Sequence, residues 1–270
     1  MTLLQIIVLA IVQGITEFLP ISSSGHLILV PTLTDWPDQG IMMDVGVHVG
    51  TLFAVILYFR SDVAHLLTSF WHMITFHKDA DPQHKKLMLA LILSTIPVIA
   101  IGGLVSKMGW NDAWRTLEVI GWTSIIFGIL LYALDHMCSV TKKISDLKYG
   151  QALIIGFAQV LAIIPGTSRS GITMTAARGL GFSRTEAARF SMLMSIPTIL
   201  AAGTIEGLKL IDNESATLGV DIFLGAGLSF ITALLAIAGL MKWLQKSSMT
   251  PFVIYRVLLG IGLLYLVYAT

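Results

Sequence analysis

The stretch at residues 13–26, QGITEFLPISSSGH, decides how this chain has to be read. It lies in the first apolar segment, yet carries a carboxylate, an imidazole and three consecutive serines into a region that hydrocarbon would otherwise reserve for apolar groups. A second stretch at 164–173, IPGTSRSGIT, answers it from the other half of the chain with an arginine and four hydroxyls. A carboxylate, an imidazole, a guanidinium and a set of hydroxyls and glycines are the parts of a site that handles phosphate.

Around these stretches the composition excludes a water-soluble domain. Of 270 residues 55% are hydrophobic and 12% charged, and the mean hydropathy is +0.82, the profile of an integral membrane protein. Lipid-exposed backbone must satisfy its own hydrogen bonds, so an all-α architecture is expected. The net charge of +1 and the lack of a basic tract give no reason to expect nucleic acid, and the single Cys138 cannot form an internal disulfide. The first apolar segment has neither the basic flank nor the cleavage pattern of a signal peptide, so it is expected in the mature protein.

Windows of about 18 or more apolar residues predict six transmembrane helices, at 42–59, 87–105, 117–134, 186–208, 222–244 and 252–267. Residues 1–19 are interrupted by Gln13, Gly14, Thr16 and Glu17 and stopped by Pro20, and the apolar run at 26–33 is too short to span. A re-entrant helical hairpin fits better, and the pattern returns at 152–181, broken by Pro165 and Gly166. Gln13, Pro20, Ser23 and Gly25 align loosely with Gln159, Pro165, Ser168 and Gly171. Residues 61–76 read as an interfacial helix, with loops at 34–39 and 77–86. The expected fold is one integral membrane domain over 1–270, an inverted repeat of halves at approximately 1–135 and 150–270.

Charge placement gives the orientation. Threading six spans and two hairpins puts Arg60, Lys78, Lys85, Lys86, Lys142, Lys143, Lys148, Arg178, Arg184, Arg189, Lys242 and Lys246 on one side, and only Lys107, Arg115 and Lys209 on the other. Cytoplasmic loops are the ones enriched in Lys and Arg, so both termini are expected outside and the hairpins enter from opposite faces. Inverted repeats with broken helices place a site near the midplane, where the breaks meet.

Gln13 and Glu17 are four apart and share a helix face. A glutamate within an apolar segment costs about 2.5–3.5 kcal/mol, so it should face a cavity or a partner; with Gln13 it is a candidate site for Mg2+ or Ca2+, the bland alternative being a packing pair or cap near Pro20. Ser22, Ser23, Ser24 and Gly25 form a turn of hydroxyls and amides at a helix start, suited to an anion. Ser23 is the candidate nucleophile with His26 as its base or as the acid for the leaving group, and His26 attacking directly is the alternative. In the second stretch Pro165 and Gly166 break the helix, Thr167, Ser168, Ser170 and Thr173 surround the break, and Arg169 is the phosphate clamp, compatible with a resting ion pair to Glu17. Arg178, Arg184 and Arg189 read as interfacial. Asp44 with His48, one turn apart, and Arg256, one turn into the last span, either support the site residues from behind or pair at helix ends, and are read as structural.

These two motifs resemble the undecaprenyl-diphosphate phosphatases of bacteria, also called bacitracin-resistance proteins. A glutamate or glutamine four residues before a glutamate is met by Gln13 and Glu17, the serine turn with Gly-His by Ser22 to His26, and PGxSRSxxT by Pro165 to Thr173. The likeness extends to MDVGVHVGTLFAV and PFVIYR. It implies a multi-pass protein of the bacterial inner membrane that hydrolyses undecaprenyl diphosphate to the monophosphate, recycling the lipid carrier of cell-wall polymers and conferring bacitracin resistance, with a site open to the periplasm. It further implies a divalent metal, essential roles for Glu17, His26 and Arg169, and matching roles for Ser23, Ser168 and Thr173. Many members have glutamate where this chain has Gln13. Expected partners are the isoprenyl diphosphate, membrane lipid and a second copy in a homodimer. Two rivals are a lipid phosphatase of the phosphatidic-acid type, whose His-then-Asp order is reversed at Asp44 and His48, and a polyprenyl-phosphate transporter or flippase on the same inverted repeat.

Overall fold

Proline and serine chemistry sets where this chain breaks. In the computed structural model, which describes all residues except 35, 76–80, 139–140, 213–218 and 270 and no side chains at 111–112 and 206–212, the first helix, α1 (Leu3–Thr16), starts at a capping box. Thr2 Oγ1 accepts from the Gln5 amide and Gln5 Oε1 accepts from the Thr2 amide. The helix ends at Glu17, three residues before Pro20, which can neither donate a backbone N–H nor fit inside a helix. The chain turns through Ser22, whose φ of 75° is left-handed, and starts α2 (Ser23–Thr34). The second break repeats this. α8 (Tyr149–Val160) runs into a short 3-10 turn at Leu161–Ile163, passes Pro165, Gly166 and Ser168, the last with φ 71°, and α9 (Arg169–Gly179) follows.

Three residue pairs across the two breaks share one offset, while Pro20 and Pro165 are 145 apart (165 − 20). Gln13 and Gln159, Ser22 and Ser168, and Gly25 and Gly171 are each 146 apart (159 − 13, 168 − 22, 171 − 25). Ser22, rather than Ser23, is thus the counterpart of Ser168. The reason is local: both are left-handed, and each side chain accepts from the amide three residues on, Gly25 N at 3.4 Å and Gly171 N at 3.0 Å.

The remaining helices are α3 (Gly40–Tyr58), α4 (Arg60–Ile74), α5 (Pro82–Lys107), α6 (Trp110–Ala113), α7 (Leu117–Met137), α10 (Arg184–Asp212), α11 (Val220–Leu244) and α12 (Thr250–Ala269). Six of the described helices, α3, α5, α7, α10, α11 and α12, are long and apolar enough to cross a membrane. The expected loop at 77–86 is shorter than the charges implied. Asp81 caps the Gln83 amide and Pro82 opens α5, so Lys85 and Lys86 belong to its first turns, while Lys78 lies outside the described residues.

Packing pairs the broken helices with spans from the opposite half: α1 lies on α11, α8 on α5, α3 on α11 and α10, and α7 on α12 and α9. Small residues allow the closest approaches. A Cβ on Gly50 would stand 2.2 Å from the Ala226 carbonyl oxygen, and Gly121 and Gly260 face each other's backbone across α7 and α12. Large apolar side chains such as Phe53, Ile129, Leu235, Leu258 and Tyr265 remain on the outside, as a lipid solvent requires.

Polar contacts mark the two ends. At one, Met1 pairs with Asp221 and Arg115 with Asp38. At the other, reached along α7, Asp135 receives Arg178 and Arg184, Arg189 pairs with Asp62, and Lys86 donates to the Ser145 carbonyl. The residues read as interfacial arginines therefore tie helix ends together by specific pairs.

Candidate active site

The two breaks touch. Ser170 Oγ donates to the Leu19 carbonyl at 2.8 Å, and a Cβ on Gly25 would lie 3.6 Å from Gly166 Cα. Beneath them Arg256 from α12, fully buried, donates to the carbonyls of Gly166 (3.0 Å) and Thr167 (2.8 Å), and at 3.4 Å to those of Pro20 and Thr123. Thr123 Oγ1 also donates to the Pro165 carbonyl at 2.7 Å. A broken helix leaves carbonyls without intrahelical partners, and one guanidinium here supplies donors to both breaks at once.

Glu17 is the centre of the site. Its Oε1 accepts from Arg169 Nη2 at 2.8 Å; its Oε2 accepts from Ser23 Oγ at 2.6 Å and Gln13 Nε2 at 3.0 Å, and faces His48 Nε2 at 3.7 Å. Arg169 also reaches the Ser191 carbonyl of α10 at 3.4 Å. A carboxylate buried to 5% of its side-chain surface is held by a guanidinium buried to 14%, which is how a charge persists in a dry interior.

Above the carboxylate opens a cavity of about 740 Å3. Glu17, Ser22, Ser23, Ser24, His48, Ser168 and Arg169 give it a polar floor, and Val45, Val49, Leu52, Ile199 and Leu200 are among its apolar walls. It shares Ser24, Asp44, Arg115, Thr198 and Ala202 with a neighbouring cavity of about 380 Å3 walled by Leu27, Ile28, Val98, Ile99 and Ile163. His48 lies eight residues into α3, about 12 Å from its start and about 15 Å from its end, so the floor is at mid-depth.

Apart from the buried Gln13 and from His26, the expected site residues fall into two groups. Those on the cavity wall are Glu17, Ser22, Ser23, Ser24, Ser168 and Arg169. Gly25, Gly166, Thr167, Ser170 and Thr173 stand behind it and hold the turns; Thr173 Oγ1, for example, donates to the Arg169 carbonyl at 2.8 Å and lies 2.7 Å from Ser191 Oγ. His26 is turned the other way. Its Nδ1 donates to the Ser22 carbonyl at 2.6 Å, and its Nε2 meets Tyr255 Oη at 2.5 Å, with the two rings stacked 5.6 Å apart. The imidazole that reaches the cavity is His48, which the sequence placed among the structural residues. The signal that marks it is an ionisable side chain inside a span, the same signal that marks Glu17.

The chemistry of this donor set fits a hydrated divalent cation. Gln13 Oε1 is buried and accepts no hydrogen bond, and Glu17 lies on the same helix face one turn on. Among the described residues no three His, Cys, Asp or Glu side chains form a closed cage. A carboxylate with one amide oxygen is a donor set of the size Mg2+ uses, since this ion takes one or two protein carboxylates and leaves its other positions to water and phosphate.

Comparison with known proteins agrees with the two motifs. Residues 6–262 match the family model described as bacitracin resistance protein BacA. The chain is 48% identical over 269 residues to the undecaprenyl-diphosphatase of Roseobacter denitrificans and 49% identical over 269 residues to that of Dinoroseobacter shibae, covering 100% of both chains in each case. It is 47% identical over 270 residues to that of Alteromonas mediterranea, again over 100% of both. With the family match covering both breaks and reaching into the last of the six long helices, the chain belongs to the BacA bacitracin resistance protein family.

Proposed function

We propose that the cavity hydrolyses undecaprenyl diphosphate to undecaprenyl phosphate and inorganic phosphate, the reaction that the names of its full-length relatives state. The observation that carries this reading at the level of chemistry is the shared Glu17 carboxylate, with Arg169 on one oxygen and the Ser23 hydroxyl on the other. The Arg169 guanidinium forks onto the diphosphate, and Ser22, Ser24 and Ser168 offer further donors around it. Ser23 Oγ, held in place by its hydrogen bond to Glu17, attacks the terminal phosphorus, and its proton passes to water in the cavity. The bond from that phosphorus to the bridging oxygen breaks, the monophosphate lipid leaves, and water then cleaves the phosphoserine. Gln13 and Glu17 would hold a divalent cation, Mg2+ or Ca2+, which when bound neutralises phosphate charge. Phosphoryl transfer asks mostly for positioning and charge stabilisation, and these residues provide both. The apolar walls running on into the neighbouring cavity suit an isoprenyl tail.

The two broken helix pairs are re-entrant hairpins of an inverted repeat; the offset of 146 shared by three residue pairs and the reciprocal packing of α1 on α11 and α8 on α5 support this. Ser106, Gly109 and Arg115 line the cavity at the Lys-poor end, which supports an opening to the periplasm and hence recycling of the carrier, with bacitracin resistance as the result. The test is phosphate release from farnesyl or undecaprenyl diphosphate by detergent-purified protein, with and without chelator. One phosphate per lipid is expected from the wild type and near-complete loss in Arg169→Ala and Glu17→Ala; unchanged turnover in either variant removes that residue from the mechanism. Reciprocal packing of this kind also favours a second reading, lipid translocation, which movement of labelled polyprenyl phosphate across proteoliposomes without hydrolysis would establish instead.

A further inference from the structure

We propose that His48 is a ligand of the site's divalent cation, its Nε2 joining Glu17 and Gln13 in a mixed nitrogen and oxygen donor set that favours Mn2+ over Ca2+. This rests on the phosphatase reading and assigns the ion within it. The argument begins with the proton. His48 Nδ1 lies 2.7 Å from the Asp44 backbone carbonyl, which can only accept, so Nδ1 carries the hydrogen and Nε2 is the ring nitrogen left to bind an ion. A backbone carbonyl on Nδ1 is the usual way a metal-bound histidine is fixed in tautomer and orientation.

That nitrogen faces Glu17 Oε2 at 3.7 Å. The separation is too long for a hydrogen bond, so neither atom satisfies the other directly, and a cation between them would serve both. Two ligands at about 2.1 Å from one ion and 90–120° apart are themselves about 3.0–3.6 Å apart, so the observed gap is close to the span of two adjacent ligands. The other groups around the ring are committed. Asp44 Oδ1 accepts from Gln39 Nε2 at 2.9 Å, and Arg169 is on the opposite oxygen of Glu17. The second observation is the buried, partnerless Gln13 Oε1, a third donor carried by the side chain whose Nε2 bonds to the same Glu17 Oε2 that His48 approaches. The imidazole keeps 33% of its surface open to the cavity, where substrate phosphate and water would take the remaining positions. Oxygen-only sites suit Ca2+, whereas an imidazole raises affinity for transition ions.

The test is electron paramagnetic resonance of the purified full-length protein titrated with Mn2+. Bound Mn2+ in the wild type should show spin-echo modulation from a directly bonded nitrogen, and growth on isotope-labelled histidine should change that modulation without any substitution. In His48→Gln the nitrogen modulation should vanish, Mn2+ binding should weaken roughly tenfold or more, and the preference over Ca2+ should shrink. Bound Mn2+ without nitrogen modulation in the wild type overturns the proposal, as does modulation that survives in His48→Gln, or no Mn2+ binding at all. Phosphate release from farnesyl diphosphate on the same preparation separates the two levels. Turnover with no nitrogen-bound ion removes His48 alone, whereas no turnover with any ion removes the phosphatase reading.

Discussion

Replacing Arg256 with methionine should damage turnover far more than stability. The guanidinium is fully buried and has no carboxylate partner among the described residues; its two best contacts are the carbonyls of Thr167 and Gly166, at 2.8 and 3.0 Å. Removing it leaves both acceptors buried and unpaired, at about 1–3 kcal/mol each, or about 2–6 kcal/mol together. The same substitution relieves the burial of a lone cation, a penalty of several kcal/mol, and methionine refills much of the volume. The two effects oppose each other, so the net change in unfolding free energy should stay within about 2 kcal/mol. No such offset protects the chemistry. Arg256 also reaches the Pro20 carbonyl in the first break, so it ties together the two breaks that carry Glu17 and Arg169, and a drift of about 1 Å between the groups proposed to act together costs about a hundredfold. Thermal unfolding in detergent alongside kcat and KM for farnesyl diphosphate reads both sides, and kcat should carry the loss. Arg256→Met with turnover within a factor of two of wild type would show that the breaks hold themselves. Wholesale unfolding would show that the cation's burial cost was overstated.

Three further outcomes follow from the same geometry. At Gly166 (φ 86°) a Cβ would meet Thr123 Oγ1 at 2.2 Å and the Ile120 carbonyl oxygen at 2.8 Å, so Gly166→Ala should cost about 2–5 kcal/mol from left-handed strain and overpacking together, read by thermal unfolding, while Gly103→Ala, which meets nothing within 4 Å, should not destabilise. Arg169→Lys keeps the charge beside Glu17 but not the fork, and phosphate release should fall about 100- to 1,000-fold, the usual loss when a transition-state donor is removed. His26→Gln should lower turnover while leaving the shape of the pH–rate profile as in the wild type, because the ring is bonded to Ser22 and Tyr255 rather than to Ser23; disappearance of the acid limb of the profile would restore His26 as the base.

The parts legible in the sequence are those fixed by short-range chemistry. Pro20, Pro165, Gly166 and the left-handed serines dictate where helices stop and start whatever packs around them, so both breaks lie where the pattern of residues puts them. Glu17 and Arg169 were legible as partners because a charge in an apolar segment needs a counter-charge, and their 2.8 Å contact satisfies that need. The proposed repeat would account for their division of labour. At the common offset of 146, Ser23 of the first half corresponds to Arg169 of the second and Glu17 to Ile163, so the first break supplies the carboxylate and hydroxyl, and the second the cation.

The histidines show where local reasoning stops. His26 follows the serine turn directly in sequence, but its Nδ1 bonds back to the carbonyl four residues earlier, and the ring lies against Tyr255 of a helix more than two hundred residues away. His48 reaches Glu17 because α3 packs against α1, a contact between helices that no spacing within either one encodes. Arg256 is the same case, since its carbonyl partners come from both breaks and from α7. The rule that an ionisable group inside a span has a functional partner applies to His48 and Arg256 as fully as to Glu17. Applied to all three, it selects side chains that line or support the cavity floor, and the packing of α3 and α12 then supplies each one's partner.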